Sequence, residues 1–78
     1  MMTIDQHWQS YRRDLIPKDA SQVQITETRR AFYAGAWIMH EMSQRLGEPD
    51  ISIDDGVMIF EALRLEIKAF QEWIGKGN

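Results

Sequence analysis

Cysteine is absent from this chain. No disulfide can brace the fold and no thiolate can bind zinc, and a reducing compartment suits such a sequence. Histidine occurs only at His7 and His40. His40-Glu41 opens like a zinc-protease helix motif, but Gln44 stands where the second histidine is required, so no metal site is expected. Positive charge is also scarce. Nine Lys and Arg face twelve Asp and Glu, for a net charge of −3. Duplex DNA binding leans on phosphate neutralisation, and an acidic domain is a poor candidate for it. No apolar run approaches a membrane span. The opening Met1-Met2-Thr3-Ile4-Asp5 has neither the basic nor the apolar region of a secretory signal, so none is expected. Glycine-rich phosphate loops, dinucleotide fingerprints and nucleophile elbows are missing. Ser10, Ser21, Ser43 and Ser52 have no visible base partner. An enzyme is therefore not expected, and no cofactor is implied.

What remains is a 78-residue chain patterned for helices. Residues 1–78 read as one all-α domain with helices near 4–16, 21–46 and 54–74. Thr3 and Gln6 fit a capping box ahead of the first helix. Ile4, Trp8, Tyr11 and Leu15 make its apolar stripe, and Pro17 stops it. Ser21 and Gln24 form a second capping box, with Asp19 as a competing cap. Ile25, Phe32, Met39, Met42 and Leu46 share one side of the second helix. Gly47 is expected to take a left-handed C′ position, with Pro49 blocking continuation. Ser52 or Asp54 caps the third helix, and Asp55 sits in its first turn, where the helix dipole favours an anion. Short connectors make neighbouring helices pack antiparallel, so the second and third form a long hairpin.

The third helix is apolar over far more than the roughly 100° stripe of a surface helix. Its clearly polar arc is Glu61, Arg64, Lys68, Gln71 and Glu72. A chain this short buries only about 60% of its unfolded surface. Oligomerisation is the remaining common support for a small cysteine-free domain, so a helical-bundle homo-oligomer is expected. Glu66 falls inside the apolar arc. It either pairs with Arg29 or Arg30, or lies at a rim and reaches water. The run from Asp50 to Glu61 resembles a calcium loop at first sight. Its glycine is displaced by one position and isoleucine fills two slots that normally face water, so capping explains these acids better.

The densest chemistry lies between Arg29 and Trp37. Two guanidiniums, three aromatic rings and four small residues occupy nine positions. On a helical wheel Tyr33 and Trp37 stand well round from Phe32, with Arg29, Arg30 and His40 nearby. Two readings follow. The rings and arginines are anchors of a helix or subunit contact, or they form a ligand surface in which rings stack on bases and arginines hold phosphate. Tyr11, Arg12, Arg13 and Lys18 offer a second cationic-aromatic edge. Gly35 costs about 1 kcal/mol relative to alanine within a helix. Its i+4 relation to Ala31 is the small-residue spacing at which helices cross closely.

From Ile16 to Ala36 the chain resembles a group of small uncharacterised proteins of tailed phages and prophages. The shared stretch is Pro17, Asp19, Ala20, Gln24, Glu27, Arg29, Arg30, Ala31, Phe32, Tyr33, Ala34, Gly35 and Ala36. The motif defines no activity. The resemblance implies a phage accessory protein working in the host cytoplasm. Small, acidic, non-enzymatic phage proteins often serve counter-defence, by sequestering a nucleotide-derived immune signal or by capping a host defence protein. Some phage sponges are small helical oligomers that bind cyclic nucleotides, and this chain is similar to them in size and helical content only. Expected partners are therefore a second copy, a cyclic or linear oligonucleotide signal, or a host defence protein. The expected ligand residues are Arg29, Arg30, Tyr33, Trp37, Tyr11, Arg12 and Lys18. A structural or regulatory phage protein is the remaining alternative.

Overall fold

A computed structural model describes residues 1–75. These form three helices, α1 (Ile4–Leu15), α2 (Gln22–Leu46) and α3 (Ile53–Gly75), with no strand among the described residues. No helix is long and apolar enough to cross a membrane.

Each start follows from a hydroxyl cap. Thr3 Oγ1 accepts from Gln6 N at 3.1 Å, and Thr3 N donates to Gln6 Oε1 at 2.8 Å, which completes the capping box. Ser21 Oγ accepts from Gln24 N at 3.1 Å, while the return bond from Gln24 is not formed. Ser52 caps α3 by accepting from Asp55 N at 3.1 Å, which settles the choice between Ser52 and Asp54. Asp54 and Asp55 then occupy the first turn of α3, where carboxylates face the positive end of the helix dipole.

The helix ends differ in mechanism. Pro17 forces Ile16 into an extended conformation, φ −95° and ψ 128°, and α1 stops. The end of α2 departs from the left-handed glycine cap expected at Gly47. Gly47 keeps its φ outside the left-handed region. Instead Gly47 N donates to the Gln44 carbonyl and Glu48 N to the Arg45 carbonyl, both at 3.1 Å. These i→i+3 bonds tighten the last turn into 3₁₀ geometry and satisfy carbonyls that a left-handed glycine would otherwise serve.

The chain divides into two compact units, Met1–Ser43 and Gln44–Asn78. In the first, α1 lies antiparallel along the opening turns of α2. Ile16 of α1's end shares a cleft with Ile25, and Ile4 of its start shares one with Trp37 and His40. Between them Trp8 packs edge-on to Phe32, with centroids 5.5 Å apart, and Tyr11 stands 5.5 Å from the same ring. Trp8 is 1% exposed and is the one buried residue among those described. The expected α1 stripe is thus centred on Trp8, while Leu15 stays largely exposed. In the second unit, Leu46 approaches Gly56 across the connector, and Ile51, Gly56, Ile59 and Leu63 are half-buried. No residue of α3 is buried.

Candidate ligand groove

Arg29, Arg30, Tyr33, Ala36, Trp37 and His40 recur at three- and four-residue steps and line one strip of α2. The first three, with Thr26, surround a cleft of about 390 Å³. One turn further, Tyr33, Ala36, Trp37 and His40 border a mainly apolar hollow of about 260 Å³, closed from the side by Ile4 of α1. Tyr33 belongs to both. The cationic cleft and the aromatic hollow of this α2 groove therefore share one wall, Tyr33.

The arginines are engaged but not saturated. Arg29 Nη2 lies 3.5 Å from Asp5 Oδ1, and its guanidinium sits 5.4 Å from the Tyr33 ring centroid. Arg30 Nη1 donates to Glu27 Oε1 at 2.8 Å. A guanidinium carries five N–H donors, so each keeps several for an anion. Both pairs are solvent-exposed, and exposed pairs contribute at most about 1 kcal/mol. A phosphate, carrying up to two charges and offering bidentate acceptors, competes well with such a carboxylate. Trp37 is 62% exposed and stacks on His40 at 5.7 Å with an interplanar angle of 27°.

The second cationic edge is distributed differently. Arg12 and Lys18 meet Gln9, Arg13, Ile16, Pro17 and Ile25 around a separate cleft of about 370 Å³. Arg12 and Lys18 make no ion pair among the described residues. Arg13 is held by Asp14, with Nε 2.9 Å from Oδ1. The hydrogen bond and the charge of Asp14 raise the Arg13 pKa, and the hydrogen bond from Arg13 lowers that of Asp14. Tyr11 borders neither this cleft nor the α2 groove. Its ring packs on Trp8 and Phe32.

Thr26 was legible from helical spacing, since it stands four residues before Arg30. Ile4 and Asp5 were not, because a second helix brings them to the groove. Glu66 is exposed, as its rim alternative required. Among the described residues no group of three His, Cys, Asp or Glu side chains can hold a metal ion. The chain matches no protein-family model, no curated protein and no solved structure.

Proposed function

We propose that this is a non-enzymatic binding protein whose α2 groove takes a small anion with a planar aromatic body, a nucleotide-derived signal in the host cytoplasm being the fitting class. The observation that carries the reading is Tyr33, which joins the arginine cleft to the Trp37 hollow. Arg29 and Arg30 hold phosphate, and the exposed Trp37 stacks on a base. The protein then acts as a phage counter-defence sponge, assembled as a homo-oligomer in which α2 and α3 form antiparallel hairpins.

Calorimetry with a panel of cyclic and linear oligonucleotides tests the ligand. Wild type releases or absorbs heat with at least one member. Arg30→Ala and Tyr33→Ala each weaken that binding at least several-fold, since charged hydrogen bonds and stacked rings both contribute on the order of 1–3 kcal/mol. Both variants keep wild-type helical content. No heat with any member ends this reading. The second reading, a cap on a host defence protein, then leads, because a Trp left 62% exposed beside arginines is also the composition of a protein-binding hot spot.

A further inference from the structure

The cleft where α1 turns into α2 differs in chemistry from the α2 groove. Arg12, Arg13 and Lys18 line it and no carboxylate does, in a chain whose net charge is −3. Arg13 is neutralised by Asp14, and Asp19 of the connector does not border the cleft. Neither Arg12 nor Lys18 makes an ion pair among the described residues. Two uncompensated cations therefore line one cleft, whereas each arginine of the α2 groove already has an acid beside it. Arg12 sits in the last turn of α1, where a cation also complements the helix dipole. Lys18 lies beyond the helix and has no such role. The backbone of this corner is pinned. Ile16 N donates to the Arg12 carbonyl at 3.3 Å, and Ala20 N closes a turn on the Pro17 carbonyl at 3.1 Å, with Lys18 inside it. The half-buried Ile16 and Ile25, with Pro17, make an aliphatic wall, and no lining residue is aromatic. The volume, about 370 Å³, lies in the range of small-ligand sites.

We propose that this cleft is a second binding site, for a small soluble phosphate monoester on a short saturated body. Charge selects the monoester. It carries about 1.5–2 negative charges at pH 7, which matches Arg12 and Lys18, whereas a diester carries one. The planar fork of Arg12 takes two phosphate oxygens and Lys18 brings a point charge to a third. Gln9 adds an amide donor at the rim. The body rests on Ile16, Pro17 and Ile25, which cover aliphatic carbon and offer no ring on which a base could stack. A cleft of this size encloses a short alkyl body and not a long acyl chain. The two clefts thus divide ligand chemistry by whether an aromatic ring is present, and neither assignment depends on the other.

The test is an NMR titration of the whole chain, methyl-labelled at isoleucine, with n-butyl phosphate at neutral pH and constant ionic strength. The Ile16 and Ile25 methyls shift saturably, while those of Ile53 and Ile67 in α3 stay in place. Arg12→Ala and Lys18→Ala each raise the dissociation constant at least about threefold. Lys18→Arg and Arg30→Ala leave it near wild type. Diethyl phosphate, which carries a single charge, and inorganic phosphate, which lacks the body, both bind at least about threefold more weakly. Both substituted side chains are exposed, so helical circular dichroism is retained. If Arg12→Ala nevertheless loosens α1, Lys18→Ala, outside every helix, decides alone. No saturable shift at Ile16 and Ile25 overturns the site. A shift that survives Lys18→Ala but is lost in Arg30→Ala moves the binding to the α2 groove and also overturns it. Equal affinity for butyl and diethyl phosphate overturns the monoester assignment. Nucleotide calorimetry of Lys18→Ala stays at wild type, so failure of this site is distinct from failure of the α2 groove.

Discussion

Trp8 is the one side chain of the described residues that the fold removes wholly from water. Its ring meets Phe32 of α2 and Tyr11 of its own helix, so this indole is the most buried of the contacts that join α1 to α2. Replacing a buried Trp with Ala costs about 3–5 kcal/mol, close to the whole stability of a domain this small. Trp8→Ala is therefore expected to abolish the cooperative urea transition of the α1–α2 unit, read by near-ultraviolet circular dichroism. A sharp transition within about 1 kcal/mol of wild type would show that Trp8 is not the anchor. The Arg13–Asp14 pair behaves oppositely. Its hydrogen bond holds the Asp14 carboxyl below its ordinary pKa. The stability it lends is present above the unfolded-state pKa and fades as pH falls through the depressed folded one. Both groups are exposed, so that stability is small. Carbon-detected NMR titration should place the Asp14 carboxyl below the ordinary aspartate range, while Asp14→Asn leaves the urea midpoint unchanged at pH 7. An Asp14 that titrates at the ordinary aspartate value would show that the pair does not persist in solution.

At the scale of the element, α2 carries a glycine at its middle without a visible steric need. A Cβ built on Gly35 meets nothing within 4 Å, so the close helix crossing expected from Ala31 and Gly35 is not formed there in the single chain. Glycine in a helix interior is less favourable than alanine by about 0.5–1 kcal/mol. Gly35→Ala is expected to raise the thermal midpoint accordingly, measured by far-ultraviolet circular dichroism. A fall in midpoint together with a loss of mass would instead place a second chain against this face. Helix starts are more sharply set. Ser21 supplies one of the bonds that the first turn of α2 lacks, and Ser21→Ala is expected to cost about 1 kcal/mol.

For the whole molecule, the decisive quantity is apolar surface left in water. The described part of the second unit has no buried side chain, and most of the large apolar residues of α3 stay about half exposed or more. An isolated helix is marginal in water, and packing supplies most helical stability. Amide exchange in α3 is thus expected to slow as protein concentration rises, while exchange around Trp8 changes less. Mass-resolved hydrogen exchange over a tenfold concentration range measures this. Equal, concentration-independent protection of α3 would mean that the helix is stable without a cover.

The sequence by itself determined the three helices, their hydroxyl caps and their breaks, because capping, proline geometry and apolar period act over a few residues. It also placed Arg30, Tyr33 and Trp37 on one strip of α2, since helical spacing is a local property. Tertiary structure alone decided the rest. It brought Ile4 and Asp5 from α1 to that strip. It turned Tyr11 into the Trp8–Phe32 cluster and away from Arg12 and Lys18. It gave Arg29 a carboxylate neighbour. Each of these depends on which surfaces meet. Meeting is set by the summed burial of residues far apart in the chain, a quantity that no short window of sequence contains.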